Sequence, residues 1–339
     1  MDWSTRRVLV TGGASFISSH LIDLLVAKGA RKVRVVDDLS SGKLANIQPH
    51  LDSGVVEFRQ EDLLAPGVAG RSVAEVDVVF HLAAIHGGRG FVDLHQAACA
   101  QNLAMDGLLV KAAHEAAIEK FVFASSGCVY PNFLQSDVTQ ELYLTEDMVG
   151  PPYDADNMYG WAKLMTELTL KAYARDCGLK SASCRFFTVY GERGVENHAV
   201  IAMIARAFVG QDPFEVWGDG TQVRNWTYVG DIVSGMVAAA ETIDDGTAVN
   251  LGTEERTQVI DAVNEVLRYT GRRAELKFLP HMPTGPLNRV ASNRLARELL
   301  GWEPKVKFID GLHRTIDWYF TTKRRESVED YLPELLTER

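Results

Sequence analysis

At 339 residues the chain is too long for one simple core and comfortable for a domain pair. Its 46% hydrophobic and 24% charged residues are ordinary for a soluble globular protein, and a net charge of −10 excludes the broad basic face of a nucleic-acid binder. No run of about 18 apolar residues offers a membrane span, and the four cysteines (Cys99, Cys128, Cys177, Cys184) have neither CxxC spacing nor histidine pairing, so no metal site or disulfide framework is expected.

Met1–Arg7 runs straight into a strand and lacks the apolar core of a signal peptide, which, with the unpaired cysteines, sets the expectation of a reduced, cytoplasmic setting. Short apolar runs then alternate with helical patterns. Strands are predicted at Arg7–Val10, Val33–Val36, Val55–Phe58, Val76–Leu82, Phe121–Ser125 and Ser183–Phe187. Helices are predicted at Ser15–Lys28, Leu94–Ala117 and Tyr159–Cys177. Short strands buried on both faces and separated by helices indicate a parallel sheet with right-handed crossovers, a doubly wound α/β (Rossmann) domain over residues 1–190. After about Tyr190 the rhythm breaks. Gly- and Pro-rich stretches (Gly218–Gly220, Pro280–Pro286) interrupt helices at Ile232–Glu241, Val259–Tyr269 and Arg294–Leu300. A smaller mixed lobe is expected over 191–339, with some elements returning to the first domain and a charged, peripheral tail after Thr321.

The first strand ends in Thr11-Gly12-Gly13-Ala14-Ser15-Phe16-Ile17-Ser18-Ser19-His20. A strand–turn–helix of this kind uses glycine to make the tight turn and presents helix N-terminal amides to a pyrophosphate. Gly12, Ser15, Phe16 and Ile17 are therefore expected at a dinucleotide. Asp37, ending the second strand, and Asp38 beside it are the candidates for the adenosine ribose, and a carboxylate there favours NAD over NADP. Ala83 and Ala84, ending the fourth strand, leave room for the pyrophosphate and ribose.

Tyr159 and Lys163 are four apart on a helix and share a face. An ammonium beside a phenol favours phenolate, so the pair is expected to lower the tyrosine pKa toward working pH and let it take a hydroxyl proton while hydride passes to a nicotinamide. Ser126, at a Ser-rich strand end, is the expected partner for the substrate oxygen.

The order of TGGAxFI, Asp37, HLAA, SSxxVYP, YxxxK, RFFTVYG, WGDG and Arg224 covers nearly the whole chain. It resembles the extended short-chain dehydrogenase/reductase superfamily in its nucleotide-sugar epimerase and dehydratase branch, and is most similar to the GDP-mannose 3,5-epimerases. Against that pattern Ser15 and Ser18 stand where glycine is usual, and Ser15 is expected to crowd the phosphates. The resemblance implies that Asp62 and Leu63 contact adenine, and that Gly87, Gly88 and Arg89 belong to a substrate loop. It implies that Cys128 is a base acting beside a 4-ketone and that His198 falls at or near the position of the opposing acid. Arg224 and Arg289 are implied at the diphosphate of a nucleotide sugar, while Thr188 replaces an asparagine usual in that region. It further implies a homodimer through the helices around Leu94–Ala117 and Tyr159–Cys177.

The expected activity is an NAD-dependent epimerase working through a transient 4-keto sugar. Alternatives are a simple 4-epimerase, which needs Tyr159, Lys163 and Ser126 alone, and a lyase removing water or CO₂. A non-catalytic NAD-binding regulator has no need of the Tyr159, Lys163 and Ser126 set.

Overall fold

In the computed structural model, which describes residues 1–337, seven strands form one parallel sheet. They are β1 (Arg7–Thr11), β2 (Lys32–Asp37), β3 (Val56–Gln60), β4 (Val78–His81), β5 (Lys120–Ser126), β6 (Ser181–Phe186) and β7 (Asp245–Leu251). Their order is β7-β6-β5-β4-β1-β2-β3, each neighbour parallel. The principal helices are α1 (Phe16–Ala27), α2 (Gln96–Glu115), α3 (Asn157–Cys177), α4 (Ala199–Val209), α5 (Val229–Thr242), α6 (Val259–Thr270), α7 (Phe308–Thr322) and α8 (Arg325–Thr337). This is the doubly wound fold that the strand–helix alternation predicts.

Side chains alternate across each strand, and both faces of the sheet are covered. Val8 and Val10 therefore join one core with Leu21, Ile22 and Leu25 of α1 and Met236 of α5. Leu9, between them, joins the opposite core with Leu109 and Val110 of α2. The chain runs from β1 outward to β3 and then crosses back to place β4 on β1's other side. The crevice beyond the carboxyl ends of β1 and β4 is thus the topological switch point, where open α/β sheets bind ligands.

Several elements differ from the sequence expectation. β7 is a seventh sheet strand, read as irregular because the Gly246 turn, at φ 78°, breaks its apolar run near the start. The helix predicted over 94–117 is present as Gln96–Glu115, and a short helix not predicted, Arg89–Leu94, precedes it, separated at His95, whose backbone leaves the helical region (φ −111°, ψ 51°). The tail is not peripheral. Val328 and Leu332 of α8 are buried in the second-lobe core with Ile201, Phe214 and Tyr319. Buried Glu196 ties the tail down by accepting hydrogen bonds from Tyr319 Oη (2.9 Å), Tyr331 Oη (2.9 Å) and Lys323 Nζ (2.8 Å). A charged composition concealed this, because the charges sit on the outer face and at that one buried acceptor. No helix among the described residues is long and apolar enough to cross a membrane.

A buried polar cluster joins α3 to the sheet. Glu167 of α3 and Arg185 of β6 form a bidentate pair, Nε–Oε1 3.0 Å and Nη2–Oε2 2.8 Å, with both side chains buried. Ser125 Oγ donates to the same carboxylate, and Arg185 Nη1 reaches Tyr130 Oη at 3.2 Å. Removing one member strands a buried charge. Glu167→Ala is expected to lower unfolding free energy by about 3–5 kcal/mol in a denaturant titration, and Glu167→Met with Arg185→Met to recover much of it. A loss below about 1 kcal/mol for the single variant would contradict this account.

Candidate active site

The floor of the site is the turn after β1. Gly12 has φ +63°, and a Cβ there would sit 2.9 Å from Ala83 Cα; at Gly13 it would meet Val35 Cγ1 at 2.6 Å. Both positions exclude a side chain by contact with neighbouring strands. Thr11 Oγ1 accepts from the amides of Leu82 and Ala83, each at 3.1 Å, so its own proton points to His81 Nδ1 at 2.7 Å. His81 Nε2–H then donates to Asp106 Oδ1 at 2.9 Å. This buried chain locks the β1 and β4 ends side by side.

Ser15, Phe16, Ile17 and Ser18, at the start of α1, line a cleft of about 400 Å³ that opens from this floor. Ser15 is extended (φ −87°, ψ −179°), so serine causes no backbone strain, and its hydroxyl makes no capping bond to the helix. The first-turn amides of α1 are free of intrahelical partners and suited to a diphosphate. Asp37 is 5% exposed, with Oδ2 accepting from Ala14 N (2.9 Å) and Oδ1 from Leu39 N (2.8 Å). Burial outweighs those amides and raises its pKa. Its task is thus to brace the turn, and Asp37 is not itself among the residues lining the cleft. Asp38 and Asp62 close exposed turns on Ser40 and Leu64, and Leu63 packs into the core with Leu9 and Val36. None of these three side chains lines the cleft, whereas Ala84 does.

Farther in, Ser126, Cys128, Tyr159, Lys163, His86 and His198 share the cleft wall. Gly160 brings α3 this close: a Cβ there would lie 2.3 Å from the Cys128 carbonyl oxygen. Ser126 Oγ accepts from Cys128 N at 3.1 Å. Lys163 Nζ lies 4.5 Å from the Phe123 ring centroid and 5.6 Å from that of Tyr159. The electrostatics differ from the sequence expectation. Burial pushes the Tyr159 phenol well above its ordinary value, with Ser126's hydrogen bond opposing, and burial lowers the Lys163 pKa although Asp106 attracts its charge. Desolvation penalises phenolate more than the neighbouring ammonium favours it. The His86 ring stands 6.2 Å from Tyr159 and 5.9 Å from His198, and desolvation together with the Lys163 charge lowers its pKa to about 4. The sequence reading passed over His86, though it lies inside the quoted loop.

Three arginines complete the wall, and the structure brings all of them together. Arg289 Nη1 reaches Cys128 Sγ at 3.3 Å, Nη2 reaches Asp156 Oδ2 at 3.1 Å and Nε reaches Gln135 Oε1 at 2.6 Å. Arg89 is committed to two carboxylates, Asp156 (2.7 Å) and Asp93 (Nε–Oδ2 2.9 Å). Arg224 has only carbonyl partners, Val223 O at 2.9 Å and Thr284 O at 2.8 Å, and burial with the charges of Arg289 and Arg89 lowers its pKa to about 9. Gly87 and Gly88 line the same cleft. Asp156 is a second residue that sequence reasoning missed. Three positions before Tyr159 it reads as a helix N-cap, yet it makes no capping bond. Burial raises its pKa, but Arg289 and Arg89 outweigh that and hold it below its ordinary value. The wall carries three guanidinium groups around two carboxylates, and the positive charge left over suits an anionic ligand.

Residues 8–252 match the profile described as the NAD dependent epimerase/dehydratase family. GDP-mannose 3,5-epimerase 1 of Oryza sativa subsp. indica is 31% identical over 317 residues, covering 92% of this chain and 81% of that protein. A Bacillus subtilis (strain 168) protein named as an uncharacterized UDP-glucose epimerase, YtcB, is 34% identical over 318 residues, 91% of this chain and 96% of its own. Among solved structures, a UDP-glucuronic acid 4-epimerase from Bacillus cereus, in complex with UDP-glucuronic acid and NAD, superposes with a TM-score of 0.84 at 29% identity, covering 94% of this chain and all of that one.

The Lys163 ammonium disfavours the His86 imidazolium, so removing it eases protonation. An NMR titration is expected to find His86 neutral down to about pH 4 and to find its pKa raised in Lys163→Met. A wild-type His86 titrating at the ordinary histidine value, or a downward shift in the variant, would refute this charge arrangement.

Proposed function

Because the chain belongs to the NAD dependent epimerase/dehydratase family, we propose that this NAD-dependent nucleotide-sugar enzyme is an epimerase that inverts a centre beside a transient ketone. The hexose is oxidised at carbon 4, a proton is exchanged at carbon 3 or carbon 5 through Cys128, and the hydride is returned. The observation that carries this reading is the Cys128 thiol in the cleft wall, two residues beyond Ser126 and 3.3 Å from a guanidinium nitrogen of Arg289.

NAD, held by the β1–α1 turn and the Asp37 edge, supplies the hydride acceptor and then the hydride donor. Tyr159 takes the proton of the 4-hydroxyl and gives it back. Ser126, whose oxygen already accepts the Cys128 amide, keeps its own proton to donate to the substrate oxygen. Lys163 supplies the positive charge nearest that phenol. A ketone acidifies the hydrogens on its flanking carbons, and Cys128 is the base that removes one of them. His198 is the proton donor on the other side, with the His86 ring 5.9 Å from its own. Arg224 and Arg289 grip the diphosphate, and Gly87, Gly88 and Arg89 form the loop over the sugar. Gly12, Ser15, Phe16, Ile17, Asp37, Asp38, Asp62, Leu63, Ala83 and Ala84 are assigned to the dinucleotide, Asp62 and Leu63 by backbone contacts alone. Exposed Leu103 and Leu108 of α2 and Trp161 and Met165 of α3 support a homodimer through those helices.

Turnover of a nucleotide hexose in deuterium oxide tests the reaction. Deuterium is expected at carbon 3 or carbon 5 of the recovered sugar, and Cys128→Ala is expected to reduce its incorporation by about 10²- to 10⁴-fold while bound NAD is retained. Inversion at carbon 4 with no deuterium would replace this reading by a 4-epimerase. Loss of water or CO₂ would replace it by a lyase.

A further inference from the structure

Arg206 takes no part in the chemistry above. It is the one charged residue in α4, whose sequence is otherwise apolar from Ala199 to Val209. Its side chain lines the cleft on the second-lobe wall, with Met203, Val216, Trp217 and Val263 as neighbours in that lining, yet the residue is 1% exposed. Nε and Nη2 have no hydrogen-bond partner among the described residues. Burial lowers the Arg206 pKa to about 10, opposed by Glu215, whose carboxylate is 3.0 Å from Lys277. A buried guanidinium edge without acceptors is costly, and leucine or methionine would fill this apolar helix position without that cost. An arginine here therefore calls for an acceptor delivered by a ligand.

The two unpaired nitrogens define which acceptor. Nε–H and one Nη2–H lie along one edge of the planar group and point the same way, so the edge suits two adjacent acceptors in a plane. The lining here sets Met203, Val216, Trp217 and Val263 beside Glu215 and Gln222, which suits a flat ring with polar edges better than a hydrated phosphate. We propose that Arg206 reads the nucleobase of the substrate and selects guanine, so that the enzyme acts on guanosine-diphosphate sugars. This assignment rests on the nucleotide-sugar reading above and names its substrate class. Guanine presents O6 and N7 as neighbouring acceptors, the pair arginine binds bidentately. Adenine puts its N6 donor where O6 would be and would face a donor with a donor. Uracil and thymine offer O4 without a neighbouring ring acceptor and leave half of the fork unpaired.

Calorimetric binding of GDP, UDP, ADP and 7-deaza-GDP to the NAD-loaded protein tests this without turnover. GDP is expected to bind about 10- to 100-fold more tightly than UDP or ADP, in keeping with one bidentate arginine–guanine contact. 7-Deaza-GDP, which lacks the N7 acceptor, is expected to lose most of that margin on the unaltered protein. Arg206→Met is expected to bring GDP to the level of UDP with NAD content and melting temperature maintained. UDP binding as tightly as GDP, 7-deaza-GDP binding as tightly as GDP, or a GDP preference that survives Arg206→Met would each overturn the assignment of guanine alone. Failure of every diphosphate to bind would overturn the nucleotide-sugar reading with it.

Discussion

The site is organised by one carboxylate shared between two arginines. Asp156 stands at the start of α3, where it would ordinarily cap the helix, and instead pairs with Arg89 and Arg289. Three regions distant in sequence converge there: the glycine-rich loop after β4, the loop before α3, and the stretch leading to Arg289. Because α3 also carries Tyr159 and Lys163, the same contact fixes those two side chains relative to the arginine wall. A buried carboxylate between two guanidinium groups stays ionised, so the clamp is rigid over the whole neutral range. The positive charge left over, chiefly on Arg224, is what a ligand must neutralise.

A second constraint is steric and acts on the other side of α3. Gly160 lets the helix touch the turn that holds Ser126 and Cys128, and the buried Glu167–Arg185 pair holds the next two turns of the same helix against the sheet. Tyr159 and Cys128 are neighbours because the helix between these anchors cannot back away. Burial on this scale has an electrostatic consequence. The phenol is driven up and the ammonium and imidazole are driven down, so Tyr159, Lys163 and His86 are each biased toward the neutral form. Burial thus works against the charged form of each of these three groups.

The sheet was legible because its strands are buried on both faces and read as unbroken apolar runs, as Val8–Val10 and Phe121–Ala124 do. Tyr159 and Lys163 were legible because their spacing has meaning on a helix. The second lobe was not, and for specific reasons. Several of its strands are two residues long, such as Val223–Arg224 and Asn288–Arg289, too short for any period to show. α4 lies between Gly194 and Gly210 and was not predicted, although an arginine inside an apolar run is itself a signal. Asp156 looked like an ordinary cap, and its pairing depends on residues 67 and 133 positions away. The sign of the Tyr159 shift was also illegible. Spacing reveals the neighbouring charge but not the depth of burial, and depth decides the sign.

The serine at position 15 shows the same distinction in reverse. By pattern it looked disruptive, since glycine is usual there. In the fold the turn's need for glycine falls on Gly12, where φ is positive and Ala83 presses against the missing side chain, and on Gly13, where Val35 does. Ser15 is extended and strain-free at the mouth of α1, with its hydroxyl unused by the helix. A hydroxyl at that point adds a donor beside the first-turn amides of α1, which have no partners within the helix. The substitution therefore changes the chemistry of the phosphate-facing rim while leaving the turn intact, because the contacts that make the turn lie two and three residues earlier.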